Sequence, residues 1–411
     1  MVIRWNKIWA LFIPVLLSLF TEAQEVIYGS DRYEGTRIVP EALAGRSVSL
    51  NFDLSLFNFT PDAEAAFQYA VSLLAPHLNS SQLVRIQAIY GLPLPGGTLG
   101  VCIPNSDMDF SVAAMDYTWY PAALSNAISG YDHQSTELDL NIFIGSADWY
   151  TGTDGNCPPN EYDLVSVVLH ELIHGIGFIS LMSMEGGMGK YGDPDSSNFQ
   201  FTTFPMPDFD HLPGIYDRHL HRNMDDLTDG SIYFNPSISL GQALRSDSIY
   251  FSGSATDQLL GGQPAKIYAP PVFRDGSSIH HLDEDAYPAG TSYSLMTPYI
   301  GLSEVNHSVD SLTLAILSDI GWGSPGLDQT EIAFSDVRVF PIPADRVLRI
   351  QSHPEILEYR LTGINGYKLL HEELTGSTYY VEIDVEMLTP GSYVLLVETI
   401  EGRFSKNILI Y

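Results

Sequence analysis

The spacing of apolar positions changes several times along the chain. From 163 to 178 they come nearly all round a helical turn, at Leu164, Val165, Val167, Val168, Leu169, Leu172 and Ile173. That pattern predicts a buried helix, with Asp163 as its N-cap and Gly175 and Gly177 at its end. Upstream, Phe52–Phe59 alternates at period two and predicts a strand with Phe52, Leu54 and Leu56 on one face. Pro61–Ala75 predicts a helix capped by Thr60, with Pro61 in its first turn and Ala66, Phe67, Ala70, Val71 and Leu74 at helical spacing. Leu83–Ile89 reads as a strand, Pro95–Gly97 as a turn and Thr118–Ile128 as a short helix. Leu138–Ile144 alternates again, as a strand does. Residues 181 to 276 are rich in Gly, Pro, Asp and Ser, and Met188–Pro194 in particular reads as loop. Leu312, Ala315, Ile316 and Asp319 predict a helix from Ser311 that Gly321 closes.

After Trp322 the period becomes two and stays so. Val347–Ile350, Leu357–Leu361, Tyr379–Ile383, Tyr393–Val397 and Lys406–Ile410 read as strands, with turns at Asn365-Gly366 and Pro390-Gly391. The fold class expected is α+β, a mixed domain over residues 24–322 followed by a small all-β Ig-like sandwich over 333–411. A linker covers 323–332.

Composition sharpens this picture. The chain has 411 residues, 45% of them hydrophobic and 17% charged, as in a globular protein. Fifty acidic residues against 19 basic give a net charge of -31, which argues against nucleic acid or an anionic membrane as partner. Arg4 and Lys7 precede an apolar run from Ile8 to Phe20 and a small-residue site at Ala23, so residues 1–23 read as a signal peptide. Two cysteines, Cys102 and Cys157, suit one disulfide in an exported protein; two thiols or a metal-binding Cys are the alternatives. Asp193, Asp195, Asp225 and Asp226 lie in acidic segments where structural Ca²⁺ is possible.

The candidate chemistry sits on the buried helix. His170-Glu171-Leu-Ile-His174 sets two histidines at i and i+4, on one face a turn apart, where both can grip one metal ion. Glu171 stands beside them, able to take a proton from a metal-held water. His219 and His221 have no such setting and read as structural. Asp283 is either the partner of a ligand imidazole or a turn residue.

With Gly177, residues 160–322 resemble the metzincin zinc peptidases. The third histidine of their usual motif is absent, since Ser180 stands there. The chain is more similar to the leishmanolysin-like branch, in which an insertion separates the third histidine from the first two. Ser277-Ser278-Ile279-His280-His281, Ser294-Leu295-Met296 and the helix ending in Asp319-Ile-Gly321 follow that branch's order. The resemblance implies one catalytic Zn²⁺ held by His170, His174 and His281, Glu171 as general base, and Met296 as the apolar floor of a Met-turn. It also suggests Tyr293 or Tyr299 as an oxyanion donor, a protein or peptide as substrate, and Leu138–Ile144 as the edge strand that pairs with extended substrate, the alternative being an ordinary sheet strand. The rival expectation is a catalytically silent zinc-bound adhesin or binding protein.

Separately, Val339-Phe-Pro-Ile-Pro343-Ala344 and Leu388-Thr-Pro-Gly391-Ser-Tyr393 resemble the C-terminal sorting domain of the type IX secretion system, with Ile342 where Asn is usual. This implies the type IX machinery as a partner, and secretion to the outside or outer surface of a Gram-negative bacterium.

Overall fold

The computed structural model describes residues 25–30, 37–38, 51–192, 212–322 and 337–410, apart from positions 79, 81, 109, 111–112, 116, 134, 341–343, 345, 353–354, 364–367, 375–376, 390 and 401. The expected signal peptide (1–23), the linker (323–332), Asp193 and Asp195, and the Asn365-Gly366 turn lie outside these residues. The chain divides into two compact units, residues 1–108 with 117–322, and residues 109–116 with 323–411. Helices and sheets together make the architecture α+β.

The first unit is built on a six-stranded sheet. Its strands are β1 (Glu25–Ser30), β2 (Asn51–Phe57), β3 (Leu83–Leu92), β4 (Thr98–Pro104), β5 (Leu140–Gly145) and β6 (Tyr299–Gly301). They run in the order β6-β1-β4-β5-β3-β2. The β2, β3 and β5 strands are mutually parallel, and β4 runs antiparallel to β5. Parallel neighbours need a crossover, and α1 (Pro61–Leu74) supplies it between β2 and β3. Thr60 caps α1 by accepting from the Ala63 amide, and Ala63, Ala66, Phe67, Ala70, Val71 and Leu74 form its buried stripe.

Sequence expectation and structure part company at several elements. Leu138–Ile144 is not at an edge: β3 and β4 pair with β5 on either side. Alternation along a strand reports its two faces, not its neighbours, so it cannot separate edge from centre. The helix expected from Thr118 starts later, because Trp119–Pro121 pairs as a strand with Ser106–Met108; α2 (Ala122–Ser129) follows Pro121. Met188–Tyr191 is a strand, paired with Met182–Glu185 through a Gly186-Gly187 turn at positive φ, which suits a tight hairpin. The insertion also holds a small sheet of Asp225–Asp226, Leu220–Arg222, Ile249–Phe251 and Ala265–Ile267. There His219 stacks on Phe251 and His221 on Tyr250.

The disulfide does not form: Cys102 and Cys157 are separate buried thiols. The buried helix α3 (Leu164–Gly175) keeps them apart. The Cys102 sulfur faces Gly175 at its last turn, where a Cβ would stand 3.0 Å from it. The Cys157 thiol donates to the Glu161 carbonyl at 3.3 Å, ahead of its first turn. A helix of 12 residues spans about 18 Å, far beyond the reach of a disulfide. Burial pushes the Cys157 thiol up to about 12, so it stays protonated.

Helix α5 (Ser311–Asp319) closes the unit. Asp310 caps it, and its last residue, Asp319, accepts from the amides of Ala255 and Thr256 at 2.7 and 2.8 Å. Those amides begin α4 (Ser254–Leu259), so one carboxylate satisfies two of the four donors that a helix start leaves open. Trp322 then donates its indole N–H to the Ile176 carbonyl at the end of α3.

The second unit has two antiparallel sheets. One orders Val337–Phe340, Val347–Ser352 and Tyr380–Asp384; the other orders Lys368–Glu373, Ile356–Gly363, Gly391–Thr399 and Gly402–Ile410. Leu348, Ile350 and Ile383 from the first share one core with Leu361, Leu395, Val397 and Ile408 from the second.

Replacing Asp319 by Ala removes the shared cap. The expected loss is ~1–2 kcal/mol of unfolding free energy, read as a lower urea midpoint with an unchanged slope.

Candidate metal centre

Helix α3 forms where Asp163 accepts from the Ser166 amide at 2.8 Å and leaves every residue from Leu164 to Gly175 buried. The same carboxylate meets buried His307 Nε2 at 2.8 Å. The helix lies over β4 and β5, and two glycines allow the close approach. Gly175 meets Leu140 and Cys102, while at Gly100 of β4 a Cβ would stand 2.5 Å from Glu171 Oε1. Any side chain at position 100 would therefore displace that carboxylate.

The i and i+4 spacing brings His170 and His174 together, and His281 joins them from the far side of the insertion. Their Nε2 atoms lie 2.9 Å (His170 to His174), 3.1 Å (His170 to His281) and 3.2 Å (His174 to His281) apart. Each Nδ1 meets a backbone carbonyl: His170 the Leu295 oxygen at 2.7 Å, His174 that of Phe178 at 2.6 Å, His281 that of Ser277 at 2.9 Å. A carbonyl only accepts, so each Nδ1 carries the proton and each Nε2 presents a lone pair. Three lone pairs then point at one place with no hydrogen between them. The short N–N distances are not hydrogen bonds; they outline a place that could hold a metal ion.

Burial keeps the rings neutral. It lowers His170 to about 4, and with the charges of its neighbours it holds His174 and His281 well below the usual imidazole range. None of the three, nor Glu171, exposes any surface. Burying a polar group without a partner costs roughly 2–7 kcal/mol, a cost that a cation at the meeting point of the three lone pairs would offset. Among the described residues this is the one grouping of three or more potential metal ligands; Asp225 and Asp226 belong to no such grouping.

The segment around Met296 braces the trio. Leu295 supplies the carbonyl for His170, and Met296, fully buried, accepts from the Leu282 amide at 2.8 Å, next to His281. Tyr268 donates its amide to the His281 carbonyl at 2.9 Å. Two positions before His281, buried Ile279 has φ +76°, a conformation costly for a β-branched residue. Its amide donates to the Tyr268 carbonyl at 2.8 Å, so the Tyr268 backbone holds the strained segment through both its carbonyl and its amide.

The remaining candidates take other roles. His280 points away from the trio, its Nδ1 accepting from the Ser180 amide at 3.4 Å. The Ser180 hydroxyl donates to buried Asp217 at 2.6 Å, which ties the loop after α3 to the insertion. Asp283 is the turn residue: it accepts from the Ala286 amide and pairs with Lys266, and backbone carbonyls orient the imidazoles instead. Tyr293 packs against Tyr287, and Tyr299 sits in β6 with its hydroxyl 3.2 Å from that of Tyr268.

One pair escaped sequence reading altogether. Glu284 and Glu304 are both buried, and the Glu304 carboxylate accepts from the Gly301 amide at 2.7 Å. Burial first, then the charge of Glu304, pushes Glu284 up to about 8; burial pushes Glu304 up to about 7.

Residues 338–411 match a known family, the secretion system C-terminal sorting domain. The chain thus carries a type IX secretion sorting domain, and its destination is the outside or outer surface of a Gram-negative cell; the type IX machinery is its export partner. No curated protein matches the chain. Among solved structures, the sulfur carrier protein SoxY from Chlorobium limicola f thiosulfatophilum matches with 9% identity over 19% of this chain and 80% of its own, at a TM-score of 0.15. At that score the likeness says nothing about the fold.

The Glu284–Glu304 pair gives a signed prediction. Raised carboxylate pKa values mean that the native state holds protons the unfolded chain has released between about pH 4.5 and 8. Stability from this pair is therefore present at low pH and lost as pH rises through that window. Glu284→Gln should raise Tm at pH 8 and leave it unchanged at pH 4, as measured by calorimetry.

Proposed function

We propose that this protein is a secreted zinc-dependent endopeptidase of the metzincin type, leishmanolysin-like in where its third ligand lies. The observation that carries this reading is the convergence of three Nδ1-protonated imidazoles on one point, with Glu171 next along the same helix. The donor set suits zinc. Four-coordinate zinc with nitrogens at about 2.0–2.1 Å sets its ligands about 3.3 Å apart, close to the 2.9–3.2 Å measured here. Neutral imidazoles held by carbonyls are also the usual companions of zinc.

His170, His174 and His281 would hold the ion, which when bound would supply Lewis acidity, making a nearby water more acidic and polarising a carbonyl. Glu171 takes the proton from the attacking water and hands it to the leaving amine. Gly100 keeps the Glu171 carboxylate in place by leaving room for it. The carbonyls of Leu295, Phe178 and Ser277 stop the rings from turning and raise their basicity as ligands. Met296 closes the floor with an apolar side chain that competes for no ligand position. The two-sheet C-terminal unit is read as an Ig-like sandwich that serves export.

The rival reading, a silent zinc-holding adhesin, draws on the full burial of the site. The two differ at Glu171. Substituting Glu171→Gln should lower kcat on an unfolded protein substrate by roughly 10²–10⁴-fold while bound zinc, measured by atomic absorption, stays at one per chain. A wild-type protein that holds zinc yet cleaves no unfolded protein would favour the adhesin. His281→Ala should release the zinc, read by dialysis against a chelator. Gly100→Ala should retain zinc and lose most of the activity, because it displaces the base and leaves the ligands alone.

A further inference from the structure

Arg274 opens the turn that leads to the third imidazole. Its carbonyl accepts from the amides of Ser277 and Ser278 at 3.1 and 2.9 Å, and its amide donates to the Ser278 hydroxyl at 2.9 Å. Ser277 in turn supplies the carbonyl that orients His281. The backbone of the arginine is thus fixed to the support of the ligand.

Its side chain has a setting unlike that of the other arginines. Arg85, Arg346, Arg349 and Arg360 each give their guanidinium to a carboxylate. Among the described residues Arg274 pairs with none, in a chain with 50 acidic residues against 19 basic. Instead the guanidinium lies over the ring of Tyr299, 5.9 Å from its centroid, and the residue is exposed. An aromatic face holds a guanidinium through the plane of the group and leaves the N–H donors at its edge free.

Two hydroxyls stand beside it. Those of Tyr299 and Tyr268 lie 3.2 Å apart, with the rings crossing at 88°. One can donate to the other, which leaves the second with a hydrogen for a further acceptor. Both residues are tied to the metal centre. The Tyr268 amide donates to the His281 carbonyl at 2.9 Å, and Tyr299 follows Met296 by three residues. A guanidinium edge has no acceptor and matches two oxygens in one plane. In a peptide, the group with that shape and the opposite charge is a carboxylate.

We propose that Arg274, with Tyr268 and Tyr299, forms a carboxylate-binding subsite beside the metal centre, so that the enzyme favours peptides with an acidic group near the scissile bond. The proposal rests on the peptidase reading and adds the substrate class. A Glu or Asp side chain and the C-terminus of a short peptide offer the same chemistry. The net charge of -31 repels an acidic peptide at long range, so the preference comes from a short-range pair of defined geometry.

The test uses the full-length, zinc-loaded protein and matched fluorogenic peptides. In one set a single Glu is moved through an amide-capped sequence, with Gln at the same positions in its partner set. A third set has Gln and a free C-terminal carboxylate. At one position the parent should show a kcat/KM about fivefold or more higher for Glu than for Gln. Arg274→Gln should bring that ratio close to one, and Arg274→Glu should turn the preference towards Lys. Arg274→Lys keeps the charge without the fork and should retain part of the ratio; it carries the test if Arg274→Gln does not fold. Zinc content and Tm are read on every variant. A preference for the free C-terminus that is lost with the arginine makes the chain end the source of the carboxylate. Binding of the same peptides is measured in the Glu171→Gln background, where the acidic peptide should bind more tightly and the difference should vanish without Arg274. A protein that binds in this way and hydrolyses nothing keeps the subsite and overturns the peptidase reading. A parent that cleaves without an acidic preference, or whose preference survives Arg274→Gln, overturns the subsite and leaves the peptidase reading in place. Equal binding of acidic and neutral peptides with no hydrolysis overturns both.

Discussion

Three hydrogen bonds from imidazole Nδ1 to backbone carbonyls decide what the centre of this molecule can be. Each fixes a tautomer, and together they turn three lone pairs on one point. A side-chain carboxylate in the same role would add negative charge beneath the rings; a carbonyl adds only a dipole. The trio therefore presents nitrogen donors without net charge, and a divalent ion held there would keep its full electrophilicity. Much of the first unit serves this arrangement. The helix places two rings by its pitch, Asp163 fixes where that helix starts, and the segment around Leu295 and Met296 holds the first ring while bracing the residue after the third.

Close approach is the second constraint. Glu171 lies against a strand backbone that has no side chain at Gly100, and the last turn of α3 lies against Leu140 and Cys102 through Gly175. This packing is what separates the two thiols by the length of a helix. The same sheet that supports the helix thus precludes the disulfide that a count of cysteines suggested.

Elements with strong local signals were legible in the chain itself. The N-caps at Thr60 and Asp163, the buried stripe of α1 and the period-two run of the last unit all appear where the pattern put them, because each depends on neighbours within a few residues. The pairing of His281 with the helix histidines was not readable from periodicity; it came from a resemblance, and His280 one position earlier has the same chemistry but turns towards Ser180. What failed were properties of position in three dimensions. Alternation in Leu138–Ile144 was right for a strand and silent on its place in the sheet. Acidic Glu284 and Glu304 look like surface residues in a chain this rich in carboxylates, and only the fold reveals their burial. The Gly-rich insertion hid short strands, some in local hairpins such as Met182–Glu185 with Met188–Tyr191, others, such as Leu220–Arg222 with Ile249–Phe251, paired across a longer stretch of chain.

The ring partners His170 and His281 are 111 residues apart, and β1 pairs with β6 from the opposite end of the first unit. Contacts of such long range form late and slowly during folding. The helix and the β2, β3 and β5 strands can assemble early, but the third imidazole waits for His281, and the far side of β1 waits for Tyr299–Gly301. The trio of inward-facing imidazoles is thus completed only after residues far apart along the chain have met, and a partly made chain lacks it.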